Sequence, residues 1–188
     1  HEHPRTYSLN SFIFIGKILN LNILKFKFTK RYGGNIRVIF SKSKYNNTKK
    51  LNKILIKENM IFSKFKKLPK KISIWKKNKI KQLEKIKKIY KDIPAKAFPG
   101  RAAILIKILN IDEKLISAVY EKPNSPKIGN YVPGTKIPIK NENIFFKNIE
   151  NKKIVLNLAW HIPKEIKKYL EKKGFKGKIV NIIEKKDL

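Results

Sequence analysis

KIVLNLAWHIPKEIKKYLEKKGFKGKIVNII, residues 153–183, decides the fold. It opens with KIVLNLA at 153–159, a short run of aliphatic residues with polar neighbours, which predicts a buried strand. In residues 161–173, Ile162, Ile166, Tyr169 and Leu170 recur at helical spacing and predict an amphipathic helix. Gly174 ends it, as glycine does where a helix turns into a left-handed residue. Residues 178–183 are apolar again and predict another strand. The pattern is present upstream as well: a strand over 93–98, a tight turn at Pro99-Gly100-Arg101, a helix over 102–110 and a strand over 115–120. Strands alternating with helices predict a parallel sheet of Rossmann-like topology.

Between these halves lies EKPNSPKIGNYVPGTKIPI, residues 121–139, with four prolines and two glycines. Linkers so rich in Pro and Gly are usually polar. This one is dense in apolar residues and reads as an ordered loop of fixed shape, the kind of segment that carries binding residues.

The first part of the chain has a different rhythm. Residues 8–20 fit a helix capped by Ser8 or Asn10, with Phe12, Ile15, Ile18 and Leu19 on one face. Residues 23–29, ILKFKFT, alternate with Leu24, Phe26 and Phe28 apolar, which predicts a half-buried strand. Gly33-Gly34 is a turn and 35–40 a returning strand, so the pair reads as a hairpin. Residues 45–91 are lysine-rich and helical in pattern, with Leu51, Ile54 and Leu55 on one stripe, Ile80, Leu83, Ile86 and Tyr90 on another, and Pro69 as a break. The stripe does not hold heptad register, which argues against a coiled coil.

The formal charge of +33 points first to nucleic acid. Yet only Arg5, Arg31, Arg37 and Arg101 among the 46 basic residues are arginine, and bidentate recognition of phosphate or guanine favours arginine. The lysines run through the whole chain with isoleucine and asparagine, as a bias toward A and T codons would produce. They read as solvated faces, with no specific nucleic-acid partner. No apolar run approaches the roughly 18 residues of a membrane span, so no membrane partner is expected, and the absence of cysteine excludes disulfides and thiolate metal sites. The compartment is expected to be the cytoplasm.

Several residues could carry chemistry. Pro99-Gly100-Arg101 lies between a strand and a helix, where backbone N–H groups attract anions and Arg101 can grip a phosphate. It is one glycine, not a GxGxxG. His1-Glu2-His3 offers an acid–base pair, because a histidine titrates near neutrality and can take a proton from a carbon beside a carbonyl. H-x-H is also a possible metal-ligand spacing, with no further ligands nearby. Trp160-His161 follows a strand directly. Trp160 and Tyr131 could stack on a base or sugar, or simply pack.

Glu2-His3, Ser8-Leu9, Gly33-Gly34-Asn35-Ile36-Arg37-Val38, Lys127-x-Gly129, the run from Tyr131 through Pro133-Gly134-Thr135 to Pro138-Ile139, Leu156-Asn157-Leu158-Ala159-Trp160 and Glu165-Ile166 come in one order along the chain. Together they resemble the S-adenosylmethionine-dependent C-methyltransferases that act on nucleotide-linked deoxysugars. The resemblance implies three parts: a cysteine-rich zinc domain, a methyltransferase domain with a Gly-rich cofactor loop, and a Rossmann-like C-terminal domain. It implies that Glu2 and His3 are the Glu and His of a Tyr-x-Glu-His catalytic motif whose Tyr precedes residue 1. His3 would then be the base that removes the proton α to a sugar ketone, and Glu2 its supporting carboxylate.

The expectation is therefore an α/β chain. Residues 1–44 would be the C-terminal remnant of the catalytic domain, 45–91 a helical linker and 92–188 a Rossmann-like C-methyltransferase C-terminal domain. Beginning at His1 without a methionine, it reads as a fragment, inactive alone. S-adenosylmethionine and zinc would be held by the missing N-terminal part, and that catalytic domain would be its partner. Arg101, Lys127, Tyr131, Thr135 and Trp160 would bind a nucleotide-sugar substrate at the carboxyl edge of the sheet. The rival expectation is a non-catalytic module that keeps a nucleotide or sugar-phosphate site without methyl transfer.

Overall fold

The computed structural model describes residues 5–29, 34–43, 48–184 and 187. Two compact units divide the chain, residues 1–71 and 72–188.

In the first unit, helix α1 (Leu9–Ile18) starts from a reciprocal cap: the Ser8 hydroxyl accepts from Ser11 N–H at 3.3 Å and the Ser11 hydroxyl from Ser8 N–H at 3.2 Å. Glu58 of helix α2 (Thr48–Phe65) accepts the next two free amides, from Leu9 at 2.7 Å and Asn10 at 2.9 Å. A carboxylate there also opposes the positive end of the helix dipole. Strands β1 (Asn22–Thr29) and β2 (Asn35–Ser41) form the antiparallel hairpin; Gly33 of its turn is outside the described residues. Leu9, Ile23 and Phe26 are the buried core, with Leu51, Ile54 and Leu55 packed on it. The inward set of β1 differs from the predicted alternation. The register shifts between Ile23 and Lys25, so Ile23 and Phe26 turn inward while Leu24 and Phe28 stay exposed. A bulge inserts a residue and breaks the period of two.

Helix α3 (Leu68–Tyr90) follows two residues after α2 ends, with Pro69 in its first turn, where a missing N–H costs nothing. The second unit is a five-stranded parallel sheet of β3 (Pro94–Lys96), β4 (Ala118–Glu121), β5 (Ile139–Asn141), β6 (Ile154–Asn157) and β7 (Lys178–Asn181), in the order β5-β4-β3-β6-β7. Helices α4 (Ala102–Leu109), α5 (Glu142–Lys147) and α6 (Pro163–Lys172) connect them. Ala95, Val119, Ile139, Ile154, Leu156 and Val180 point to one face and pack with Leu83 and Ile86 of α3 and Leu105, Ile106 and Leu109 of α4. Ala118, Tyr120 and Val155 point to the other, against Phe145 of α5 and Leu170 of α6. This is the Rossmann-like sheet expected.

β5 and α5 are not expected from the sequence pattern. β5 is three residues long and follows Pro138 directly, too short for a periodic signal. α5 has its signal, the Asn141 side chain accepting from Asn143 N–H at 2.9 Å, a standard N-cap.

Candidate functional site

The first strand of the parallel unit, β3, is central, with β4 and β5 on one side and β6 and β7 on the other. The winding therefore reverses between β3 and β6. In open α/β sheets, ligands bind beyond the carboxyl ends of the strands at such a switch point. The chain leaving β3 carries Pro99-Gly100-Arg101, and the chain leaving β6 carries Trp160 and His161.

The exit of β6 is fixed by Asn157, fully buried. Its amide N–H donates to Asn181 Oδ1 of β7 at 2.8 Å, and its own Oδ1 accepts from Ala159 N–H at 2.9 Å. Leu158 N–H donates back to Lys96 C=O of β3 at 3.1 Å. Trp160, half-buried, packs on the core cluster, and the His161 ring meets its ring edge-on at 5.7 Å. Burial pushes the His161 imidazole down from its usual pKa, the Arg101 charge pushes it further, and Glu165 opposes. The Arg101 charge thus acts on the His161 imidazole and disfavours its protonated form.

The first amides of α4 are already used. Ala102 N–H donates to Pro99 C=O at 2.7 Å, Ala103 to Gly100 at 3.3 Å and Ile104 to Arg101 at 3.2 Å. Tight i→i+3 bonds close the first turn, so the expected anion cradle of free helix amides is not formed there. The guanidinium of Arg101 is what the turn offers to an anion.

Lys127 is at the same edge. Its Nζ donates to Phe98 C=O at 2.5 Å and lies 5.6 Å from the centre of the Phe98 ring, while the Glu121 carboxylate accepts from Phe98 N–H. Tyr131 and Thr135 lie elsewhere. Tyr131 bridges to Pro138, one residue before Ile139 pairs with Val119, and its side chain is exposed. Thr135 closes a turn, donating to Val132 C=O at 2.9 Å and accepting from Ile137 N–H at 3.1 Å. The loop runs back antiparallel to the start of β5, which carries both residues level with or past the amino end of β4. The structure groups Arg101, Lys127 and Trp160 with His161, and separates Tyr131 and Thr135 from them. Glu2 and His3 lie outside the described residues.

Beneath the same edge, on the α5/α6 face, is a buried polar network that periodicity did not reveal. Lys96 Nζ pairs with Glu142 Oε2 at 2.6 Å, donates to Tyr120 C=O at 3.2 Å and lies 5.5 Å from the Tyr169 ring. The Tyr169 hydroxyl donates to Glu142 Oε1 at 2.5 Å. Burial raises the Tyr169 phenol well above its usual range, and its bond to Glu142 adds to that.

A concavity of about 770 Å³ lies at the opposite, amino edge, between the starts of β6 and β7, lined by Tyr90, Lys152, Lys153, Gly174, Lys176 and Lys178 among others. Among the described residues no three potential metal-ligating side chains come together, and no helix is long and apolar enough to cross a membrane.

A comparison with curated proteins found no significant match. Residues 30–183 match the family model described as C-methyltransferase C-terminal domain, and with most of its length so covered, including every strand of the parallel sheet, the chain belongs to that family.

Proposed function

We propose that this chain is the C-terminal portion of a methyltransferase that transfers a methyl group from S-adenosylmethionine to a carbon of a nucleotide-linked keto-deoxysugar. Family membership supports methyl transfer to carbon. The single structural observation that supports a phosphate-bearing substrate is the placement of Arg101 and His161 at the switch point of the sheet. Arg101 would take the anionic end of the substrate, with a planar fork suited to a phosphate oxygen pair, and Trp160 offers an aromatic wall beside it.

The residues present do not fit the groups the resemblance implies. The chain has no cysteine for a thiolate zinc site, and the turn after β3 carries Gly100 alone, so no step is assigned to zinc or to cofactor binding here. The chain's own contribution to chemistry in this reading is His3, with Glu2 orienting it. The imidazole would take the proton α to the sugar ketone and leave the C–H electron pair in an enolate; the enolate carbon would then bond to the methyl group as its bond to the sulfonium sulfur of S-adenosylmethionine breaks, with the thioether as leaving group.

The rival is a binding module without chemistry, which would keep the Arg101 site and make no use of His3. Deuterium wash-in separates the two. In the protein containing this chain, the α-proton of the keto-sugar exchanges with D2O, and His3→Ala slows exchange and turnover together by on the order of 10²–10⁴-fold without changing the melting temperature. Unchanged exchange and turnover exclude His3 as base. Substrate binding with no exchange at all in the unmodified protein identifies the module.

A further inference from the structure

The carboxyl end of β3 is bent and then gripped. Ala97 has φ 62, a left-handed conformation that a residue with a Cβ adopts only where its surroundings impose it, and such positions cluster at functional sites. Its N–H still donates to Tyr120 C=O at 3.1 Å, but the bend takes Phe98 out of the ladder. Both backbone groups of Phe98 are then held by side chains: N–H by the Glu121 carboxylate, C=O by Lys127 Nζ at 2.5 Å. Glu121 is the last residue of β4 and Lys127 follows six residues on. The segment between them is folded on itself, with Ser125 N–H donating to Lys122 C=O at 3.2 Å and Ile128 N–H to Ser125 C=O at 3.1 Å. The Phe98 side chain is buried in the core, and the turn that sets Arg101 starts at the next residue.

We infer that Glu121 and Lys127 are positioning residues: a carboxylate and an ammonium clamp Phe98 from both sides and so fix the Pro99-Gly100-Arg101 turn that presents Arg101 to the diphosphate of a nucleotide-linked substrate. This rests on the reading of Arg101 given above. It replaces the expectation that Lys127 itself meets the substrate, because its ammonium is committed to a carbonyl and an aromatic face. The clamp differs in sign from a simple charged site. If Lys127 served only as a positive charge for an anion, Glu121 would be an unfavourable neighbour and its removal would tighten binding. In a clamp, losing either residue loosens the turn and weakens binding.

The test uses the protein that contains this chain, with amide hydrogen exchange by NMR and calorimetric titration of uridine diphosphate and inorganic pyrophosphate. Glu121→Ala and Lys127→Met should each speed exchange of the Phe98 and Ala102 amides about tenfold, as loss of one hydrogen bond to a charged group implies, with β6 and β7 protection unchanged. Glu121→Gln keeps an acceptor oxygen and should stay near wild type. Each clamp loss should weaken probe binding about tenfold by the same reasoning, and Lys127→Met should add nothing in an Arg101→Ala background. Unchanged exchange in both variants, tighter binding in Glu121→Ala, or a full Lys127→Met effect without Arg101 overturns the clamp. If exchange responds while the wild-type chain binds neither probe, the clamp stands and the phosphate reading of Arg101 fails.

Discussion

Glu142→Gln removes one charge from the Lys96–Glu142–Tyr169 network and almost no volume. Both charged side chains are nearly fully buried, at 3% and 4% exposure, and 2.6 Å apart. Losing one member of such a pair leaves an uncompensated charge in a low dielectric, at a cost of about 3–5 kcal/mol. Lys96 keeps Tyr120 C=O at 3.2 Å and the Tyr169 ring at 5.5 Å, and the amide that replaces the Glu142 carboxylate can still accept the Tyr169 hydroxyl through its remaining oxygen. The low end applies, about 3 kcal/mol, which for a unit of this size lowers the melting temperature by roughly 10 °C. Lys96→Met, Glu142→Leu and Tyr169→Phe combined should recover most of it, since an apolar replacement of a whole buried ionic group is often neutral or better. Tyr120 C=O is not orphaned in the triple variant because Ala97 N–H also donates to it at 3.1 Å. The assay is thermal and urea unfolding by circular dichroism. A Glu142→Gln loss under about 1 kcal/mol, or a triple variant weaker than the single one, would refute the reasoning that the pair is dry and mutually compensating.

Asp187→Asn should cost about 3 kcal/mol in urea unfolding, because Lys79, 1% exposed, is paired with Asp187 at 2.9 Å and otherwise, among the described residues, has only a long bond to Asn181 C=O at 3.5 Å; a variant within error of wild type would show that the Asn181 carbonyl is enough to hold the buried ammonium. Burial pushes Asp92, Glu142 and Asp187 upward, yet hydrogen bonds and the charges of Lys152, Lys96 and Lys79 prevail and hold all three below their usual 3.8, 4.5 and 3.8. Depressed folded values mean stability that is present above the unfolded values and lost as pH falls through the folded ones, so the urea midpoint should hold from about pH 7 to 5 and drop below about pH 4; a midpoint flat to about pH 3 would contradict this. Gly177→Ala should destabilise the β6–β7 pairing by about 1–3 kcal/mol, because its Cβ would come within 2.6 Å of the Phe175 ring and 2.7 Å of the Lys153 backbone; an unchanged melting temperature would mean the two strands can part.

Residues 153–183 and 93–120 disclose the parallel sheet because buried parallel strands are apolar on both faces and stand between helices with clear stops. The strand order is not legible there. No residue pattern distinguishes β6 pairing with β3 from β6 pairing with β5, so the switch point became visible only once Ala95 met Leu156. Short elements fail for a different reason: Ile139, Lys140 and Asn141 are a strand by their pairing with β4, while the N–H and C=O of Ile139 bond back to Asn130 and Gly129 of the loop. Asn157 lies inside a strongly apolar run, where one polar residue looks like noise, yet it joins the ends of β6 and β7. Lys96 and Glu142 are far apart in the chain and hidden among abundant lysines, so composition masks a buried ion pair that fewer charges would have exposed.

Lys127 shows where residue-type reasoning stops. A lysine beside a glycine in a rigid loop at a sheet edge has the right charge and address for a phosphate ligand, and sequence supports no more than that. Its role depends on which acceptor is nearer, and in the folded chain that acceptor is a backbone carbonyl, Phe98, invisible to any pattern of side chains. The same is true of Glu121, whose partner is the Phe98 amide. Backbone groups buried at a bend need partners, and a bend at Ala97 with φ 62 creates two such needs at one residue. A loop that supplies one acid and one base six positions apart meets both. The signal that could have found the clamp is therefore not the Lys-x-Gly motif alone but Glu121 and Lys127 taken with the Pro99-Gly100 turn: two opposite charges in one loop, next to a strand end that must release its ladder bonds before it reaches Arg101.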